Sequence, residues 1–313
     1  MKKIFSICLF ICLPLFIMSA CNEEKSAVSQ EDEDDPIQIV TTIAQIGEPL
    51  QVIGGDRVEV ESLMGPSVDP HLYQATQSDI STFENADIIF YNGLGLEANM
   101  VDIFEEIGKS RPVLAIGETI EEENLLEDEE GNVDPHIWFD LDLWMNALDA
   151  AVASLSEYAP EHADYFQENK AAYFAKLEEV KQDSTKLAAL PKNKRILVTA
   201  HDAFGYFGNM HDIQVIGLQG LSTDSEIGVS DINDTIAVIE KHKVPAIFIE
   251  SSINDSSIQA VIEGAASKGL DVELGGELYS DAMGEEGTEE GTYIGMYRHN
   301  VNTIYEALSG GEN

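Results

Sequence analysis

Of the seven histidines in the chain, two sit in the same setting: Asp69-Pro70-His71-Leu72-Tyr73 and Asp134-Pro135-His136-Ile137-Trp138. Proline fixes its own φ and keeps the preceding residue out of the helical region, so each histidine follows a rigid extended turn. An imidazole nitrogen suits Zn, Fe, Mn or Cu as a ligand. Asp69 and Asp134, two positions before the rings, are placed to orient neighbouring groups or to accept an N–H bond behind a metal ligand. The aromatic two positions after each ring is placed to pack beside the imidazole and exclude water. A single Asp-Pro-His is most often just a turn; its repetition points to chemistry.

Two more residues complete a ligand set. His201 follows the apolar run Ile196–Thr199, and Asp281 follows the segment from Leu274 to Ser280. Ligands of open α/β sheets bind beyond the carboxyl ends of strands, which is where both residues fall. Three imidazoles and one carboxylate, two ligands from each half of the chain, would then converge. The hard carboxylate tilts the set toward Mn or Zn and away from Cu(I). Glu250 ends the run Ala246–Ile249 and serves either as a carboxylate behind a ligand or as a helix-capping acid. The other histidines read as background, His162 and His242 on polar helical stretches, His211 in a loop and His299 in a C-terminal helix.

These residues need a scaffold, and the pattern supplies alternating strands and helices. Short runs rich in Ile, Val and Phe predict strands at Ile37–Thr41, Val58–Leu63, Ile88–Tyr91, Val113–Ala115, Ile196–Thr199, Val215–Leu218, Ala246–Ile249 and Asp271–Leu274. Helical stretches fall between them at Gln77–Asn85, Asp142–Tyr158, Ile232–Lys241 and Ile258–Lys268. The expected class is α/β, with parallel sheets flanked by helices. Pro160 to Leu190 lacks glycine and internal proline, and Tyr165, Ala172, Leu177, Val180 and Leu187 give it an apolar stripe. About 28 helical residues there would run ~42 Å. The simplest architecture is two lobes, 37–159 and 191–313, joined by a stiff linking helix at 160–190, with the metal site in the cleft between them. A single domain carrying one long surface helix is the alternative.

Composition and the N-terminus set the compartment. Lys2 and Lys3 precede an apolar run from Ile4 to Met18, and Ser19-Ala20-Cys21 follows. This predicts a signal peptide at 1–20 and a lipidation site at Cys21, anchoring the chain outside the cytoplasm. Cys8 and Cys12 lie in the signal, so the mature chain would keep one cysteine and could build neither a disulfide framework nor a thiolate site. Residues 21–36 are polar and acidic and read as a flexible tether. With 17 basic and 58 acidic residues, the formal charge is −41, which excludes nucleic acid and anionic lipid surfaces as partners. No Walker loop, G-x-S-x-G elbow or CxxC occurs, and Gly93-Leu94-Gly95 lacks the third glycine of a dinucleotide fingerprint, so it reads as a strand-to-helix turn.

The segments VDPHLY, NGLGLE, DPHIWF, VTAHDAFGYFGN, GLQGLSTDSE, FIESS and LYSDAMGEEGTEEGTY occur in this order along the chain. They resemble the metal-binding lipoproteins of ABC importers for Mn²⁺, Zn²⁺ or Fe²⁺ (solute-binding protein family 9, cluster A-I), most of all the manganese-binding branch. The resemblance implies two lobes with a rigid linking helix, a metal ion buried between them and delivery to a membrane permease by a monomeric receptor. It carries the family's ligands onto His71, His136, His201 and Asp281. The stretch Glu121–Asn132 (EEENLLEDEEGN) has no histidine, whereas zinc receptors of the family often carry a His-rich loop there. Against manganese, some manganese receptors place Glu where this chain has His201. Two other classes compete: a metallohydrolase with Glu250 as general base, and an adhesin. Catalytic zinc sites usually keep three protein ligands and an open position, whereas four ligands suit holding an ion. No adhesive repeat is present.

Overall fold

The computed structural model describes residues 35–310, so the signal peptide, Cys21 and all but the end of the tether lie outside the described residues. Four strands of the first half, β1 (Ile37–Ile43), β2 (Val58–Met64), β3 (Ile88–Tyr91) and β4 (Val113–Ala115), form one parallel sheet in the order β2-β1-β3-β4. The connections are the helices α1 (Ala44–Gly54), α2 (Gln77–Asn85) and α3 (Val101–Ile107). Residues 39–43 of β1 are all buried, as a central strand covered on both faces requires. Thr76 starts α2 with a capping box closed by Asp79, which fixes where the loop carrying His71 ends.

Two helices follow, α4 (Leu141–Tyr158) and α5 (Ala163–Ser184). The second half then pairs β5 (Ile196–His201) with β6 (Gln214–Gln219), and β7 (Ala246–Glu250) with β8 (Glu273–Leu278), both parallel. Its helices are α6 (Gly205–His211), α7 (Val229–His242) and α8 (Ser256–Ser267), and α9 (Tyr293–Ser309) closes the chain. The α/β class with parallel sheets flanked by helices is therefore as the sequence predicts. No helix among the described residues is long and apolar enough to cross a membrane.

Three expectations change. The long helix has 22 α-helical residues, because its ends tighten into 3₁₀ turns at Pro160–His162 and Thr185–Ala189. Its buried stripe is Phe166, Tyr173, Leu177, Val180, Ser184 and Leu187, while Tyr165 and Ala172 are exposed. The observed positions step by sevens, fours and threes, which keeps one face against α1, α4 and α9. The last strand lies at Glu273–Leu278, two residues later than expected at its start and four at its end. It runs through Gly275-Gly276, beyond the predicted end at Leu274. A Cβ on Gly275 would sit 2.6 Å from the Phe248 ring, so the close strand approach needs glycine there.

The larger core does not stop at the midpoint of the chain. It joins Ile39, Ile89, Trp138, Trp144 and Leu177 to Phe204, Phe207, Phe248 and Tyr293 of the second half. A smaller core, including Val198, Ile247 and Val261, lies between β5–β8 and the helices α7 and α8.

Candidate metal centre

Each residue of the predicted set sits at or beyond the carboxyl end of a parallel strand. His201 is the last residue of β5, Glu250 the last of β7, and Asp281 follows the end of β8 at Leu278. His71 lies in the loop after β2, and His136 precedes a 3₁₀ turn at Ile137–Phe139 ahead of α4. The structure brings one ligating atom of His71, His136, His201 and Asp281 to within 4.8 Å of one another, and all four residues are buried. Nε2 of His71 and Nε2 of His136 are 3.3 Å apart. Asp281 Oδ1 lies 3.3 Å from His136 Nε2, and its Oδ2 lies 3.2 Å from His201 Nε2 and 3.8 Å from His71 Nε2. No backbone amide or hydroxyl donates to either carboxylate oxygen, so the ring nitrogens are its polar partners. A buried carboxylate facing three imidazole nitrogens is the arrangement a cation satisfies.

Carboxylates behind the rings decide which nitrogens face inward. Asp134 Oδ1 accepts from the backbone N–H of His136 at 2.9 Å and contacts its ring Nδ1 at 2.7 Å. Glu250 Oε1 accepts from the His201 backbone N–H at 2.9 Å, and Oε2 lies 2.6 Å from ring Nδ1. Both leave Nε2 pointing at Asp281. Of the two roles open to Glu250, contact with His201 is the observed one; the N-cap of α8 is Asp255. Gly205 leaves room for this packing, since a Cβ there would lie 2.5 Å from Asp134 Oδ2. Trp138 packs edge-on against His136 at 5.2 Å and donates its indole N–H to Ser280 O at 3.1 Å, tying one histidine turn to the residue before Asp281.

The two Asp-Pro-His turns share a backbone bond and differ beyond it. Asp69 Oδ1 accepts from the backbone N–H of His71 at 2.9 Å, but its Oδ2 takes the Thr223 hydroxyl at 2.6 Å and not the His71 ring. Tyr73 directs its hydroxyl to Asp79 Oδ2 at 2.7 Å. His71 also lines a cleft of about 760 Å³ whose acidic wall includes Asp128, Glu130 and Asp224.

Electrostatics separates the three rings. Burial opposes charge on His136, yet Asp134 and Asp281 outweigh it and raise its pKa to about 9. Burial likewise opposes charge on His201, but Glu250 and Asp281 hold it well above the imidazole range. His71 is pushed down to about 3, chiefly by burial, with Asp281 only partly offsetting it. Asp281, which burial alone would raise, is brought well below the carboxylate range by His201 and His136.

His162, His211, His242 and His299 stay outside the cluster. His211 is not in a loop: it ends α6, packs on Phe207 at 4.5 Å and meets the Tyr297 hydroxyl at 3.1 Å. Sequence reading also missed Asn92, Glu97, Asn99 and Thr223, which touch the histidine turns or their supports. The signal for the first three was the Gly93-Leu94-Gly95 turn itself, whose three residues all have positive φ and which Asn92, Glu97 and Asn99 flank.

Residues 39–307 match the family described as zinc-uptake complex component A, periplasmic. The chain belongs to this family. It is 45% identical over 295 residues to the manganese-binding lipoprotein MntA of Bacillus subtilis, covering 94% of this chain and 95% of that one. It is 44% identical over 272 residues to the zinc-binding protein TroA of Treponema pallidum, covering 87% and 88%. The solved structure of that periplasmic zinc-binding TroA superposes with a TM-score of 0.86 over 88% of this chain and 99% of that chain. Fe(III)-bound YtgA of Chlamydia trachomatis gives a TM-score of 0.78 at 28% identity, covering 87% and 98%.

Two outcomes follow. Asp134→Asn and Glu250→Gln should each weaken binding of a divalent metal by about 10- to 100-fold without unfolding the chain, because ring orientation and basicity are lost. Isothermal titration with circular dichroism as the folding control reads this, and wild-type affinity in both variants would refute the orienting role. The second concerns pH. His136 and His201 must shed protons before Nε2 can bind a metal, and His71 carries none at neutral pH. Affinity should therefore rise with pH up to about 9, a higher window than the reference imidazole value of about 6.5, with a slope approaching two protons per ion. Titration at pH 7 in buffers of different ionisation enthalpy counts the released protons; no release would contradict the assignment.

Proposed function

We propose that this chain is an extracytoplasmic receptor that holds one Mn²⁺ ion on His71, His136, His201 and Asp281 and delivers it to the permease of an ABC importer. The observation that carries this reading is the buried Asp281 carboxylate, whose two oxygens face three imidazoles and have no donor besides those rings. Asp134, Glu250 and Asp69 hold the histidines from behind in this reading. The cargo would pass through the acidic cleft beside His71, where negative charge raises the local concentration of cations.

The carboxylate geometry favours manganese. Oδ1 and Oδ2 of Asp281 reach different rings at similar distances, so both oxygens are available to one ion. Bidentate binding with three imidazoles gives a coordination number above four, which suits Mn²⁺ better than the tetrahedral preference of Zn²⁺. Zinc is the second reading, because Zn²⁺ binds most nitrogen and oxygen sites more tightly and a relative of nearly equal identity is named for zinc. An Fe²⁺ cargo uses the same ligands.

Family members are substrate-binding components of transporters, and we read this chain as a non-enzymatic member. Four protein ligands close the site, and the most exposed of them, His71, is 6% accessible. This arrangement suits holding an ion more than turning over a substrate at an open coordination position. An adhesive role finds no separate surface in this reading. The receptor acts as a monomer of two lobes, 37–159 and 191–313, joined at 160–190; the core shared between the halves supports small rather than wide opening. Cys21 carries the lipid anchor.

Two measurements test these statements. Protein isolated from its own host should contain manganese by elemental analysis, and His71→Ala or Asp281→Ala should abolish that content; zinc recovered in its place, with zinc retained against excess Mn²⁺, selects the second reading. Cys21→Ala should move the chain from the membrane fraction to the soluble extracytoplasmic fraction; persistence in the membrane would refute lipid anchoring at that residue.

A further inference from the structure

The turn from Asn92 to Asn99 is built under strain. Gly93, Leu94 and Gly95 have φ of 77°, 56° and 84° in succession, and Leu94 is a side chain in a region L residues avoid. A Cβ on Gly93 would lie 2.8 Å from the Ala115 side chain, so this turn is also pressed against β4. Strained backbone persists where the surroundings over-determine it. Here the surroundings are Glu97, 2% accessible, which accepts from the backbone N–H of Asn92 at 2.9 Å and of Gly93 at 3.0 Å and from the Thr42 hydroxyl at 2.7 Å. A buried carboxylate with this many donors is an expensive way to close a loop unless the loop must be rigid.

Two amides leave this turn in different directions. Asn92 Nδ2 donates to Pro135 O at 3.0 Å, the carbonyl immediately before His136. Asn99 Nδ2 donates to His71 O at 3.0 Å. One loop thus grips both Asp-Pro-His turns of the first half. The grip matters most at His71. Carboxylates hold the rings of His136 and His201, whereas His71 is held through its backbone, at N–H by Asp69 and at C=O by Asn99.

We propose that Asn92–Asn99 is the positioning element for His71 and His136, with Asn99 and Asn92 as its working residues and Glu97 as the group that keeps the turn in its left-handed form. By fixing the two turns to each other, it sets the spacing of the two imidazole ligands and hence the size of ion they fit together. This rests on the reading of the four-residue cluster as a metal site. Asn92 and Asn99 touch no ion; they are positioning residues that act through the histidines.

The test uses Co²⁺, whose d–d absorption reports ligand geometry, on the whole mature chain. Asn99 is exposed, so Asn99→Ala should leave the metal-free melting midpoint unchanged. It should lower Co²⁺ affinity by about tenfold and shift the d–d bands, as loss of a partner behind a ligand does. Asn92→Ala should shift the bands in the same way, read beside its own metal-free midpoint because Asn92 is buried. Wild-type affinity and bands in Asn99→Ala, with Co²⁺ bound normally by the wild type, would overturn this inference alone. Weaker binding in both variants with unshifted bands and lowered midpoints would show a merely structural role and also overturn it. Failure of the wild type to bind Co²⁺ would remove the metal reading together with the inference.

Discussion

A carboxylate taken out of water must be compensated, and the burial of Asp281 is the demand around which the rest of the site is arranged. Its neighbours within 4 Å are the Nε2 atoms of three imidazoles, which carry positive charge only when protonated. His136 and His201 take that charge because Asp134 and Glu250 stand behind their rings. His71, with no carboxylate on its ring, stays neutral. Exchanging two imidazolium protons for one dication leaves the charge of the pocket unchanged. In this sense the charge of the pocket is matched to a dication.

Meeting that demand needs contributions from distant parts of the chain. The four clustered residues span positions 71 to 281, and the carboxyl ends of parallel strands in both halves bring them together. The tie is reinforced locally: Trp138 and Gln45 both donate to Ser280 O, and the Thr223 hydroxyl reaches Asp69. The large core shared between the halves gives these bonds a stiff base, with Phe139 stacked on Phe204 at 4.5 Å just beneath the histidine turn. Such a base restricts how far the halves can separate.

The excess of acid has two different roles. Most of the 58 carboxylates are exposed and give the surface its general attraction for cations. A few are buried or half-buried and act on specific partners: Asp134 on His136, Glu250 on His201, Glu97 on the strained turn, and Glu48 on the Tyr173 hydroxyl and Tyr293 N–H. Specificity belongs to the second group, because a buried charge interacts at short range where water does not screen it.

How much of this was legible in the sequence depended on whether a local rule was enough. Short apolar runs marked Ile88–Tyr91 and Val113–Ala115 to the residue, and the Asp-Pro-His repeat marked two members of the cluster because proline rigidity is a property of the dipeptide itself. His201 and Asp281 were legible as strand-end residues, although the strand before Asp281 was misplaced because its glycines are required by Phe248, a contact invisible in one dimension. The buried stripe of the long helix was offset for the same reason: only packing against α1, α4 and α9 chooses between Tyr165 and Phe166. Tertiary structure alone decided that Asp134 holds a ring while Asp69 holds a loop, that Glu250 faces His201, and that one turn reaches both His71 and Pro135. Those choices depend on distances between residues far apart in sequence, and it is folding, which closes those distances, that turned a list of candidate ligands into a pocket.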